Sequence, residues 1–259
     1  MTVPSGGGES PVPGNAGVVI VTGALGGMGR AICGALQTTG WTVAGLDLPD
    51  VIASRTDHQF PGLLLGADIT STRDLESAFD KVTRLEGTPT ALVNCAGVST
   101  DEQLVQMSFD QLRRTIEVNL IAAIATMSLF ARYWIADKSR SSAGGTGAIV
   151  NVCSLSAYGA NVGQAAYASS KAGLVAATRV AANELGPLGV RVNAILPSFV
   201  STPLTAGATE ELQAGLLART PLGRFPNLDE VAATVRWLLS PEASYVSGAE
   251  LRVSGGRMF

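Results

Sequence analysis

Short apolar runs rich in β-branched residues recur along the chain, separated by longer stretches whose apolar positions repeat with a helical period. Seven such runs stand out: Gly17–Gly23, Trp41–Asp47, Gly62–Asp68, Thr90–Gly97, Gly147–Ser154, Val190–Pro197 and Ala249–Gly255. They are apolar at successive positions rather than alternate ones, the pattern of parallel strands covered on both faces. Amphipathic stretches lie between them at Met28–Thr39, Ser71–Glu86, Ser108–Asp137, Gly163–Leu185 and Leu228–Ser240. This alternation predicts an α/β fold, a single doubly wound parallel sheet of seven strands with helices on both faces. The small-residue segment Ser139–Gly147 reads as a flexible turn before the fifth strand.

Composition narrows the partners. At 259 residues the chain is long enough for one domain with a large core, assigned here to residues 17–259. Residues 1–16, without Lys or Arg and broken by proline and glycine, read as a disordered tail and not as a signal peptide. Charged residues make up 15% and apolar residues 46%, against about 25% charged in an ordinary domain, which calls for much burial, internally or between subunits, and favours an oligomer. A formal net charge of −3 with no dense basic cluster argues against nucleic acid and anionic membranes as partners. The apolar stretch Leu120–Phe130 falls short of the roughly 20 residues that span a bilayer. Cys33, Cys95 and Cys153 are odd in number and lack CxxC spacing, as expected of reduced thiols in a cytoplasmic protein with no disulfide or metal. The single histidine, His58, sits in what reads as an exposed loop, so neither a Ser-His-Asp triad nor a histidine metal site is expected.

Candidate chemistry begins where the first strand ends, in TGALGGMGR. Gly23, Gly27 and Gly29 precede a helix, and glycines there let the backbone approach a pyrophosphate held by the helix N-terminus. The second strand ends at Asp47, where a carboxylate can accept from adenosine ribose hydroxyls and repel a 2′-phosphate. With no basic residue nearby to offset that repulsion, the pattern selects NAD(H) over NADP(H), on a Rossmann-type domain. Further along, Tyr167 and Lys171 stand one helical turn apart on one face. An ammonium beside a phenol favours the phenolate, which makes Tyr167 a candidate general acid/base. Ser154 ends the fifth strand, on the edge where open α/β sheets bind ligands, within reach of the same substrate oxygen.

Together these residues resemble the short-chain dehydrogenase/reductase (SDR) family, and the resemblance runs from about Val18 to the C-terminus. Its elements occur in order: TGALGGMG, ADIT, NCAG, Asn119, Ser154, YASSK and LGPLGVRVNAILPS. The resemblance implies a catalytic tetrad. Tyr167 exchanges the substrate proton and Ser154 polarises the carbonyl, while Lys171 binds the nicotinamide ribose and Asn119 holds a water linking Lys171 to solvent. It also implies cofactor contacts from Leu25 and Met28 in the glycine turn, from Asp68 and Ile69, from Asn94, Ala96 and Gly97, and from Pro197, Val200 and Thr202. Each tetrad member has a plainer reading: Asn119 bonding backbone where its helix bends, Ser154 capping a turn, Tyr167 as a core aromatic and Lys171 as a solvated helix residue.

Two departures from the family pattern are Cys95 and Ser198. The first is expected to be tolerated because the turn relies on backbone; the second costs about 1 kcal/mol if its position requires positive φ. Residues 198–225 are expected to form a lid, with Leu204, Leu212, Leu216 and Leu217 as its apolar face. Leu155, Tyr158, Asn161, Phe199 and Leu204 are expected to line the substrate pocket beside Ser154 and Tyr167. The leading expectation is an NAD(H)-dependent alcohol dehydrogenase or ketone reductase acting on a moderately apolar small molecule. One alternative is a 3-oxoacyl-thioester reductase, for which Arg132, Lys138 and Arg140 supply only a thin basic surface; the other is a non-catalytic dinucleotide sensor. By analogy with the family, a homotetramer is expected.

Overall fold

The structure is a computed structural model that describes residues 16–55, 59–141, 145–159 and 161–258. The expected tail, apart from Ala16, lies outside the described residues, as do His58 and part of the segment between Ser139 and Gly147.

Seven strands form one parallel sheet: β1 (Gly17–Thr22), β2 (Trp41–Asp47), β3 (Leu63–Gly66), β4 (Ala91–Asn94), β5 (Gly147–Val152), β6 (Val190–Pro197) and β7 (Glu250–Val253). Their order is β3-β2-β1-β4-β5-β6-β7, every neighbouring pair parallel. Successive residues of one strand feed opposite cores. Val18, Ile20, Leu92 and Ile149 pack with Phe79, Phe130 and Trp134 on one face, whereas Val19, Val21, Val93 and Val150 pack with Ile32, Leu36 and Val235 on the other. This two-sided burial is the reason the strands read as continuous apolar runs. The outermost strands, β3 and β7, contain no fully buried residue.

The helices are α1 (Gly27–Gln37), α2 (Pro49–Ala53), α3 (Thr72–Glu86), α4 (Phe109–Ile116), α5 (Ala122–Ala136), α6 (Lys138–Ser141), α7 (Ala165–Leu185), α8 (Glu210–Ala218) and α9 (Leu228–Leu239). Three of them depart from the sequence expectation. Helix α2 starts on Pro49 at its first position, a pre-set φ that outweighs its shortness; α6 takes up the start of the expected turn; α8 lies inside the expected lid, capped by Thr209.

Between α4 and α5 a π-helical turn, Glu117–Ile121, interrupts what the sequence reads as one helix. The continuous helical stretch Phe109–Ala136 is 28 residues with mean hydropathy 1.4 over its most apolar window, long and apolar enough to cross a membrane on those grounds. That corrects the shorter estimate from Leu120–Phe130. Met127, Phe130 and Trp134 bury its inner face against the sheet, so it forms one layer of the fold, while Ile121, Ile124 and Ile135 remain exposed.

A buried polar network fastens these layers beneath the carboxyl edge of the sheet. Asn94 Nδ2 donates to Asn151 Oδ1 (2.9 Å) and to Ala123 O (3.2 Å), and Thr126 Oγ1 donates to Asn94 Oδ1 (2.6 Å). Asn151 Nδ2 donates in turn to Thr178 Oγ1 (2.9 Å). One network therefore joins β4, β5, α5 and α7, and its value lies in being fully satisfied. Replacing Asn151 with Ala leaves Asn94 and Thr178 short of a buried partner. We expect a loss of about 2 kcal/mol in urea unfolding, with an unchanged denaturant slope.

Candidate active site

The sheet order reverses between β1 and β4, which opens a crevice at the carboxyl ends of those strands. Gly23 leaves β1 at φ +64°, and a Cβ built there would lie 2.7 Å from Ala96 Cα. A Cβ on Gly29 would lie 2.1 Å from Gly23 O, so both glycines are required by close approach of backbone. Helix α1 begins with Gly26 as N-cap, without a side-chain cap and without an acid in its first turn. Its first N–H groups are left for an anion. Thr22 Oγ1 accepts from Cys95 N (3.1 Å) and Ala96 N (3.2 Å), tying the end of β1 to the turn after β4. The turn thus rests on backbone, and Cys95 is accommodated. Burial pushes its thiol up to about 12, with the Lys171 ammonium opposing the shift.

Asp47 points into the glycine turn. Its Oδ2 accepts from Leu25 N (2.8 Å) and its Oδ1 from Leu48 N (2.9 Å), leaving one lone-pair direction on each oxygen for a further donor. The amide of Leu25 is consumed by this bond. Met28 packs on the core, and Ile69 and Val200 are buried in the two cores. Asp68 folds back on its own loop, its Oδ1 accepting from Thr70 N (2.9 Å) and Oγ1 (2.8 Å). Since the Asn94 side chain is spent in the buried network, that residue can offer the crevice only backbone.

At the other end of the crevice Lys171 is buried, 4% exposed, and makes no ion pair among the described residues. Its Nζ donates to Val152 O (2.9 Å) and lies 5.8 Å from the centre of the Tyr167 ring. A Cβ on Gly97 would sit 3.4 Å from Asn119 Oδ1 and 3.5 Å from Lys171 Nζ, so Gly97 marks where these side chains converge. Asn119 lies in the π-helical turn; its Oδ1 accepts from Val98 N (2.8 Å), and its Nδ2 donates to Val98 O (2.8 Å) and Ser170 Oγ (3.1 Å). The plainer reading of Asn119, a side chain bonding backbone where its helix is distorted, is therefore realised. Both its amide protons are used, which leaves the second lone pair of Oδ1 for a water. Ser154, two residues beyond Val152, caps a 3-10 turn by accepting from Ser156 N (3.1 Å) and keeps its hydroxyl proton for another partner.

The expected pocket lining divides. Leu155 is 2% exposed and packs in the core, because the 3-10 turn after Ser154 breaks the alternation that would have placed it beside the crevice. Tyr158 faces away: its hydroxyl bonds Glu250 and accepts from Arg179 (3.0 Å), and its ring lies under Arg252 at 5.6 Å. Asn161 bonds Gln164 and Ser156. Phe199 packs on Phe225 with ring centres 4.8 Å apart. Of the four leucines expected to give the lid its apolar face only Leu216 is buried; Leu204, Leu212 and Leu217 are exposed. Thr202 Cγ2 stands 3.1 Å from where a Gly27 Cβ would be, so the start of the lid, with Pro197 buried just before it, lies over the glycine turn. Ser198 carries no positive φ, which removes the expected strain, although its buried hydroxyl has no partner. Thr22 and Ser170 are supporting residues that sequence reasoning missed; their only signals are a hydroxyl before the glycine turn and a second serine within YASSK.

A nucleotide-type glycine turn, a strand-end carboxylate and a tyrosine paired with a buried lysine define a dinucleotide-dependent α/β enzyme. Comparison with known proteins is consistent with that class. A family model described as enoyl-(acyl carrier protein) reductase, within the SDR group, matches residues 23–257. The chain is 35% identical over 252 residues to a mouse (3R)-3-hydroxyacyl-CoA dehydrogenase, covering 92% of this chain and 95% of that protein. It is 33% identical over 244 residues to a 3-oxoacyl-[acyl-carrier-protein] reductase of Thermotoga maritima, covering 92% and 96%. A 3-ketoacyl-(acyl-carrier-protein) reductase from Brucella melitensis, solved with NADH, superposes with a TM-score of 0.85 at 26% identity, covering 95% of this chain and 99% of that one. The chain belongs to the short-chain dehydrogenase/reductase family and is an oxidoreductase.

The close contact at Gly29 yields a direct test. Gly29→Ala forces a methyl into Gly23 O and should abolish NADH binding, read by the fluorescence of the bound nicotinamide, while the sheet persists by circular dichroism.

Proposed function

We propose that this protein is an NAD(H)-dependent oxidoreductase that interconverts the 3-hydroxy and 3-oxo forms of an acyl thioester. The observation that carries the chemistry is the buried Lys171 beside Tyr167, without an ion pair among the described residues. Burying an ammonium without a counter-charge is costly, and such a group marks a site built for a ligand. The thioester reading is supported by the names of the relatives, and it refines the broader expectation of a secondary alcohol and ketone. Preference for NAD(H) is supported by Asp47, whose carboxylate occupies the glycine turn where a 2′-phosphate would meet like charge.

The residues fit such a cofactor. The bare N-terminus of α1 and the glycines at 27 and 29 would take the pyrophosphate, Asp47 the adenosine ribose, and the ammonium protons of Lys171 not used by Val152 O the nicotinamide ribose. When bound, the nicotinamide supplies or accepts the hydride. Tyr167 donates its phenolic proton to the forming alkoxide in reduction and takes it back in oxidation. Ser154, its own oxygen occupied by Ser156 N, donates to the substrate oxygen and orients it. Lys171 holds positive charge beside the phenol while the proton is away. Asn119 anchors the loop at Val98 and so keeps Gly97 and Lys171 in place.

The exposed lid leucines offer apolar surface for an acyl substituent, which favours a thioester over a polyol. With acetoacetyl-CoA as probe, NADH oxidation should proceed faster than NADPH oxidation, and Asp47→Ala should narrow that preference by about tenfold. Tyr167→Phe should cut turnover roughly 10²- to 10⁴-fold while NADH binding survives. Turnover of crotonyl-CoA but not acetoacetyl-CoA would replace this reading with carbon–carbon double-bond reduction. Turnover of simple ketones alone would return it to a small-molecule alcohol dehydrogenase.

The assembly proposed is a homotetramer in which the outer faces of α5 and α7 are covered by other copies. Ile121 at the end of the π-helical turn, Ile124 and Ile135 on α5 and Val180 on α7 support it, each between 43% and 55% exposed. Light scattering should give about four times the 26.5 kDa chain, and Ile124→Arg should yield smaller species.

A further inference from the structure

A continuous run of hydrogen bonds crosses from the loop after β5 to the loop after β4, and only its first bond, Ser156 N to Ser154 Oγ, enters the chemistry above. Ser154 Oγ accepts from Ser156 N, and Ser156 Oγ donates to Gln164 Oε1 (2.9 Å). Asn161 Nδ2 donates to the same Gln164 oxygen (2.8 Å). On the other side of that amide, Gln164 Nε2 donates to Asp101 Oδ2 (2.9 Å), whose Oδ1 accepts from Ser99 Oγ (2.6 Å). A backbone rung, Glu102 N to Gly163 O (2.9 Å), runs alongside.

Gln164 is also the N-cap position of α7, three residues before Tyr167. One side chain therefore touches the loop that carries Ser154 and the loop that leaves Gly97 and Val98, and it sits at the root of the helix that carries Tyr167. Both ends of its amide are engaged with chemically matched partners, two donors on the oxygen and a carboxylate on the nitrogen, so its orientation is fixed. Beside it lies a cavity of about 490 Å³, walled by Glu102, Val105, Asn161 and Val162.

We propose that Gln164 is a positioning residue, and that its bond to Asp101 is a latch holding Ser154 and Tyr167 in mutual register across the mouth of the active site. The proposal rests on the reading that Ser154 and Tyr167 share one substrate oxygen. It makes a specific demand on polarity. A glutamate at 164 keeps the shape and still accepts from Ser156 and Asn161, but it sets a carboxylate against Asp101. An amide at 101 then restores a donor facing it.

The test compares Gln164→Glu, Asp101→Asn and their combination, with Gln164→Met as a second variant that removes the polar atoms without adding charge. Gln164→Glu and Gln164→Met should each lower kcat for acetoacetyl-CoA reduction by about tenfold, with the NADH dissociation constant within about twofold of the parent. Combining Gln164→Glu with Asp101→Asn should restore kcat to within about threefold. Hydrogen exchange supplies a readout independent of turnover: backbone amides in 98–103 and 155–164 should exchange faster in Gln164→Glu and return to the parent rate in the combination, with the strands unaffected. Unchanged exchange in Gln164→Glu, or a combination no better than that single variant, overturns the latch. A parent protein inactive on acetoacetyl-CoA overturns the substrate reading alone, since the exchange arm still decides the latch.

Discussion

The arrangement turns on one ammonium group withdrawn from water. Among the described residues, Lys171 reaches the end of β5 with a single carbonyl, Val152 O, as its acceptor and no carboxylate paired with it. Left to itself, such a group would favour losing its proton or swinging out to solvent. It is kept in place because α7 is packed along its length on β5 and β6, with Ser170, Leu174, Val175 and Thr178 all buried. Thr178 also closes the network through Asn151 and Asn94. The buried amide network and the buried lysine are thus two ends of one construction, in which the first holds α7 so that the second stays aimed at the crevice.

The sheet and its glycine turn were legible because they depend on short-range constraints that leave composition behind. Two-sided burial makes nearly every strand position apolar, and a Cβ at 23 or 29 would fall within 3 Å of neighbouring backbone, which admits only glycine there. Tyr167 and Lys171 were legible for a similar reason, since a four-residue spacing on a helix puts them together whatever else the chain does. The π-helical turn at Asn119 was not. It has no proline or glycine to announce it, and it coincides with a tertiary contact, Asn119 bonding Val98 with both its oxygen and its nitrogen.

Where sequence reasoning erred, it erred on the direction of side chains in irregular backbone. Leu155 and Tyr158 follow Ser154 closely enough to count as pocket residues, yet one is buried in the core and the other bonds Glu250 on β7. Neither period 2 nor period 3.6 applies through a single 3-10 turn, so sequence distance from Ser154 carries no information about facing. The same limit applies to the lid. Four leucines suggest one apolar face, but α8 begins only at Glu210, and of the four only Leu216 is turned inward.

Exposure of the other three lid leucines has a physical consequence for substrate choice. The lid starts against the glycine turn, through Thr202 over Gly27, and is stapled at its far end by Phe225 on Phe199. Both ends are thereby fixed relative to the crevice, while the span between them presents Leu204, Leu212 and Leu217 to water. Covering those side chains is favourable by the area removed from water, and a ligand with an apolar tail lying along the span would supply that cover. A polyol would leave the cost in place. Under the proposed function, this segment would favour a substrate by the apolar area that substrate covers, while Ser154 and Tyr167 in the polar crevice would serve the reacting oxygen.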